Sequence, residues 1–309
     1  MINFRYHVVS LTAVFLALAI GLVLGTAALN GPVADNLNSQ VSSLSNRNDQ
    51  LREEARQLQN QVDSQADFVR ETAPMLLANR LAGRSVLLVT TDTADGKHRD
   101  AVAQALQQSG AKLTGKLRLN DRFTDPNQDE ALQDLATRLV PAGVGDLPNN
   151  GVGVQTASAL LATALVNGGP SVSDESRTGI LSGFTRLGAI TAEGEIAGVA
   201  DAVVVIAGPG ATEADANKRN QAMLEILRQF DAVAKYMVLA APQASGAGSP
   251  VAAIRGDDSL SKQVATVDNV SSPEGQVATA LVLAEQFRGT TGHYGSGDGA
   301  SGRVPDLQK

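Results

Sequence analysis

The residues best placed to do chemistry in this sequence stand in one short stretch: Asp92, Asp95, His98 and Asp100. An oxygen-rich set at that spacing could hold a hard cation, which takes carboxylate and carbonyl oxygens as ligands. The two earlier aspartates serve equally well as turn formers and as an N-cap for a helix starting just after them. A second candidate is Gly208-Pro209-Gly210-Ala211-Thr212, whose backbone N–H groups could receive an anion where a helix begins. It has neither the G-x-G-x-x-G pattern nor a Walker lysine, so a turn with Thr212 as the helix cap is the expected reading. Nucleophilic hydrolysis finds no support, since neither G-x-S-x-G nor H-E-x-x-H occurs. Of the three histidines, His7 precedes an apolar run and His293 lies in a glycine-rich tail, leaving His98 as the one expected in a folded site. With no cysteine, disulfides, thiolate metal sites and cysteine nucleophiles are excluded. The expectation is a non-enzymatic chain without cofactor or metal, with Asp92, Asp95, His98 and Asp100 as its weak candidate ligands.

An α/β frame must position these residues. Ser85–Thr91 reads as a buried strand and is followed by a helix over Lys97–Ser109, then an alternating strand over Leu113–Leu119. Helices are expected over Gln128–Val140, Gln155–Val166, Asp174–Phe184, Glu213–Phe230 and Pro273–Phe287. Ala202–Ala207, Tyr236–Ala241, Val251–Ile254 and Ala265–Val267 read as further strands. Strands that are apolar throughout and alternate with helices indicate a mainly parallel sheet covered on both faces. Residues 84–287 are therefore expected to form one α/β domain, with the Pro/Gly loop Gly143–Gly153 a possible subdomain seam. The tail, residues 288–309, carries six glycines and almost nothing apolar, which predicts disorder.

Ahead of that domain the chain changes character twice. Val8–Leu29 contains no charged residue, and as a helix it would span roughly 33 Å, enough for a hydrocarbon core of about 30 Å. Residues 1–30 thus read as a short cytoplasmic start and a single transmembrane helix. After Arg5 no lysine or arginine occurs until Arg47, so the positive-inside bias puts the N-terminus in the cytoplasm and the bulk of the chain outside. A signal peptide cleaved near Gly25-Thr26-Ala27-Ala28 is the alternative, but the run exceeds the usual ~7–15 apolar residues. Gly21 and Gly25 form a small-xxx-small pair that would let two anchors approach. Gly31-Pro32 is expected to interrupt the anchor, and a coiled coil over 33–73 to follow. Its d positions are Leu37, Leu44, Leu51 and Leu58, and its a positions Val41, Asn48, Ala55, Val62 and Val69. Leucine at d with valine at a favours a two-stranded parallel coil, as a homodimer or with a different helix, and Asn48 would fix register. Pro74 is expected to end the helix near Ala73. A net charge of −7 and a pI near 5.0 leave no basic face for nucleic acid.

The opening Met1-Ile2-Asn3-Phe4-Arg5-Tyr6-His7-Val8-Val9-Ser10-Leu11, continuing from Ala13 through Gly21, resembles the start of the actinobacterial copper transporter B (MctB) family, whose members include the corynebacterial SteB proteins. The order of parts behind it is similar too. The resemblance implies a cell-envelope protein linked either to copper tolerance or, beside a SteA-like membrane partner, to control of a cell-wall hydrolase at division. The main expectation is the second: a membrane-anchored adaptor. A copper efflux or homeostasis component is the alternative, and a small-ligand sensor using the strand-end loops a third. Cu(I) prefers thiolate and thioether ligands, whereas Met1, Met75, Met223 and Met237 are scattered. One apolar span encloses no pore, so residues give the copper reading no direct support.

Overall fold

A computed structural model describes residues 4–306 apart from 146, 149, 150 and 247, and leaves the side chains of 27–34 undescribed. The chain divides into two compact units, Met1–Gln65 and Ala66–Lys309. One helix, α1 (Phe4–Leu77), runs through the first and opens the second. Neither proline stops it: the helix continues through Gly31-Pro32 and past Pro74, whose carbonyl accepts the Ala78 N–H at 3.1 Å. A proline inside a helix removes one backbone bond, and here Leu77 and Leu81, both buried, draw the chain onward into the core. The reversal comes later, at Asn79 in left-handed conformation with φ 61°.

The second unit is an α/β domain built from β1 (Ser85–Thr91), α2 (Gly96–Gln108), β2 (Lys112–Leu119), α3 (Asp121–Thr124), α4 (Asp129–Leu139), α5 (Gly153–Leu165), α6 (Asp174–Leu187), β3 (Ile190–Ala192), β4 (Ala202–Ile206), α7 (Ala216–Val233), β5 (Met237–Ala240), α8 (Pro250–Gly256), α9 (Leu260–Gln263), β6 (Val264–Val267), α10 (Pro273–Gln286) and β7 (His293–Tyr294). The strands form one sheet in the order β3-β2-β1-β4-β5-β6-β7. All neighbours pair parallel except β2 with β3. Alternating side chains serve two layers. Leu87, Val89, Val203, Val205 and Leu239 face α5, α6 and α7, while Val86, Leu88, Val204, Ile206 and Val238 face α2, α10 and the end of α1. Both faces are buried, which is why these strands carry no polar alternation.

Three expectations are corrected. Val251–Ile254 is helical in α8, because Ser249 caps the turn by accepting the Ala252 N–H and Pro250 sits in its first position. The Gly143–Gly153 stretch is not a subdomain seam. It leads into α5, packed so closely on α4 that a Cβ on Gly153 would overlap the Asp129 carbonyl. Most of the tail is ordered through residue 306. β7 adds to the sheet edge, Tyr294 is buried and donates to Glu285 at 2.6 Å, and the following loop is pinned by Asp268. That carboxylate, 1 % exposed, accepts the Ser296 N–H at 2.7 Å and the Gly297 N–H at 3.1 Å, and pairs with Arg255 at 2.8 Å. Glycine is needed there for fit: a side chain at Gly295 would collide with the Asp268 carboxylate.

Candidate functional site

In this strand order the chain leaves β1 toward β2 on one side, and reaches β4 on the other. The loops at the carboxyl ends of β1 and β4 therefore diverge, and open α/β sheets bind ligands in the crevice such a switch creates. A cavity of about 270 Å³ lies there. Its walls are Thr91 at the end of β1 with Asp92 and Thr93 after it, Asn120 and Asp121 after β2, and the Gly208–Glu213 loop after β4, over a floor of Leu119, Met223 and Ile226. Gly208 packs against Thr93 with no room for a Cβ, and its N–H donates to the Thr91 hydroxyl at 3.1 Å. Asn220 on α7 clamps the same loop, accepting the Ala211 N–H at 2.9 Å and donating to the Ala211 carbonyl at 3.1 Å. Thr212 does not cap the helix. α7 begins at Ala216 with Asp215 in the cap position. The arginine of the crevice, Arg219, donates to Asp215 at 2.7 Å and to Asp121 at 2.6 Å, so its charge is already balanced by two carboxylates. Sequence reading missed Arg219 because one of its partners, Asp121, lies on α3, a juxtaposition with the cap of α7 that only the fold creates.

The four weak metal candidates do not converge. Asp95 caps α2, accepting the Lys97 N–H at 2.8 Å, which is the turn-and-cap role. Asp92 pairs with Arg118 at 2.7 Å. Asp100 pairs with Arg99 at 3.0 Å and Lys116 at 3.4 Å, and the Arg99 hydrogen bond in particular holds its carboxyl below the ordinary aspartate value. His98 is half-buried on α2. Among the described residues no three His, Asp or Glu side chains form a cluster that could hold a metal ion. A second histidine also joins the folded domain: His293, whose Nδ1 lies 2.9 Å from the Thr266 hydroxyl. Its glycine-rich setting hid it, since the strand it belongs to has only two residues.

In α1, Phe4–Thr26 is long and apolar enough to cross a membrane, and Gly21 and Gly25 have no neighbour within 4 Å of where a Cβ would stand. The predicted seam is exposed: Leu37, Val41, Leu44, Leu51, Leu58 and Val62 keep 56–64 % of their surface, and Asn48 and Ala55 are exposed beside them. Val69 is the exception. It turns toward the domain core with Ala73 and Leu77, while Phe68 remains 67 % and Met75 80 % exposed.

Over residues 1–305 the sequence matches the family model described as Copper transport outer membrane protein, MctB. The chain belongs to the MctB family. Copper transporter MctB of Mycobacterium tuberculosis strain H37Rv is 31 % identical over 321 residues, covering 97 % of this chain and 98 % of that protein. The protein of the same name from Mycobacterium leprae is 30 % identical over 313 residues with the same coverage. The family and its relatives are named for copper transport and carry no mention of cell division or a hydrolase. The copper alternative therefore has more support than the adaptor expectation. Of the described methionines in this MctB-family chain, Met223 and Met237 are buried in the core, and Met75 is on the surface.

Proposed function

We propose that this chain is a single-span, membrane-tethered component of copper handling in the cell envelope, with its α/β domain held outside the cytoplasm. The observation that carries the reading is the coincidence of a family match over residues 1–305 with one membrane-length helix at the start of the chain. The chain works as a scaffold for copper handling, not as the conduit. A membrane passage needs several helices or a closed barrel, whereas the strands described here form an open, mainly parallel sheet with core on both faces. Copper is cargo of the system, and the dispersed methionines and histidines support an indirect contribution to its movement.

A strain lacking the chain should lose copper tolerance and accumulate cell-associated copper. The full-length chain should restore both, and a version without residues 1–30 should restore neither. Unchanged tolerance in the deletion strain would sink the proposal. The purified full-length chain should show no Cu(I) or Cu(II) affinity tighter than roughly micromolar, since no thiolate is available and the described residues form no cluster of three His, Asp or Glu. A tight stoichiometric site removed by His98→Ala or His293→Ala would replace the scaffold with a carrier.

The exposed heptad stripe favours a second, compatible reading: an envelope adaptor that docks a helical partner. By resemblance, the partners are a SteA-like membrane protein and a cell-wall hydrolase. The crevice at the β1/β4 switch favours a sensor of a small ligand as the remaining alternative.

A further inference from the structure

We infer that a second copy of this chain covers the exposed seam of α1, as a parallel, in-register, two-stranded coil over Leu37–Val62. The inference is independent of the copper reading. Between Leu37 and Ser64 every apolar residue stands at an a or d position. A stripe confined to two positions in seven fits another helix winding at a 3.5-residue period, and is too narrow for a sheet or a globular core. The rest of the helix surface is occupied with its own polar pairs. Gln50 donates to Glu54 and Gln59 to Asp63, each at 2.9 Å, and Arg56 lies 3.6 Å from Glu53. The seam is the face left without partners.

Three features select a copy of the same chain. Valine at a with leucine at d favours two strands. The single polar residue of the seam, Asn48, is self-complementary: in a parallel in-register pair each amide meets the other's amide, and each supplies both a donor and an acceptor. A different helix would have to bring its own polar group to that one layer. The apolar span at the N-terminal end sets both copies at one level in the membrane, which fixes direction and offset. The opposing feature is small. Arg47 at g would face Arg52 at e of the other copy, but Arg52 lies 3.9 Å from Asp49 on its own helix, and exposed charge pairs are worth about 0.2–1 kcal/mol.

The lower limit of the contact comes from the domain. Ala66, Val69, Ala73 and Leu77 pack toward the chain's own core, so the a position at 69 is taken.

The natural absence of cysteine makes the test direct. Single cysteines are placed at Leu44 and Val62, and at the outward positions Ser39 and Glu53, in the full chain in its native membrane. On mild diamide oxidation, the first two should form a species of twice 31.9 kDa at least tenfold faster than the outward two. In a mixture of Leu44→Cys and Leu51→Cys chains, the 44–51 product should be rare, and should rise when Asn48→Val is added. Equal rates at seam and outward positions would overturn the inference. So would a seam product whose mass is that of this chain joined to a different protein, which would assign the seam to a hetero-partner instead.

Discussion

The buried pair of Asp268 and Arg255 decides how the end of the chain behaves. Both side chains are nearly sealed from solvent, at 1 % and 7 % exposure, and Arg255 also donates to the Tyr294 carbonyl at 3.0 Å and the Asp298 carbonyl at 2.7 Å. Removing one partner of such a pair leaves an uncompensated charge inside, at a cost of about 3–5 kcal/mol. Asp268→Asn should therefore lower unfolding stability by that amount and open residues 295–303 to protease, whereas an unchanged denaturation midpoint would show the pair to be dispensable. Asp231 on α7 offers a second residue-level check. Burial pushes its carboxyl up to about 6 from the ordinary 3.8. A raised value in the folded state means that folding favours the protonated acid. This contribution is full below about pH 3.8 and is lost as pH rises through about 6. Asp231→Asn should flatten the decline in melting temperature between those values; an identical pH profile in the variant would assign the decline elsewhere.

At the scale of elements, close helix packing makes two glycines behave oppositely. A methyl at Gly153 would overlap the Asp129 carbonyl and come within 2.9 Å of the Gln133 nitrogen, so Gly153→Ala must separate α4 from α5. A loss of about 1–3 kcal/mol is expected from such overpacking. Gly179, exposed within α6 with nothing within 4 Å, gains helix propensity instead, and Gly179→Ala should stabilise by about 0.5–1 kcal/mol. Chemical denaturation of the two variants checks both signs. The same physics explains what was legible in the sequence. Long apolar strands such as Ala202–Ile206 and long periodic helices such as α7 and α10 announce themselves. β3 and β7, with three and two residues, exist only because β2 and β6 offer edges to pair with, and no local pattern encodes that. Val251–Ile254 is β-branched and apolar enough to read as a strand, yet the Ser249-Pro250 start overrides it. The loop aspartates at 92 and 95 were readable as turn and cap residues, while the balance around Arg219 needed distant elements to meet.

For the whole molecule, the decisive quantities are side of membrane and nature of the tether. Arg5 is the one lysine or arginine before Arg47, a charge bias that predicts the N-terminus inside. A cysteine introduced at Ser39 should react with a membrane-impermeant thiol reagent on spheroplasts, and one at Asn3 should not; reversed labelling would place the α/β domain in the cytoplasm. The role proposed for this chain in copper handling is that of a tethered domain whose own span carries no ion. The most direct measurement exchanges residues 4–26 for an unrelated single-span anchor of the same orientation, and follows copper tolerance and cell-associated copper in the deletion strain. The exchanged chain, present in the membrane at native level, should restore both to the level given by the native chain. Copper sensitivity equal to that of the deletion strain, at matched membrane abundance, would contradict it and assign the native span a part in the copper path itself.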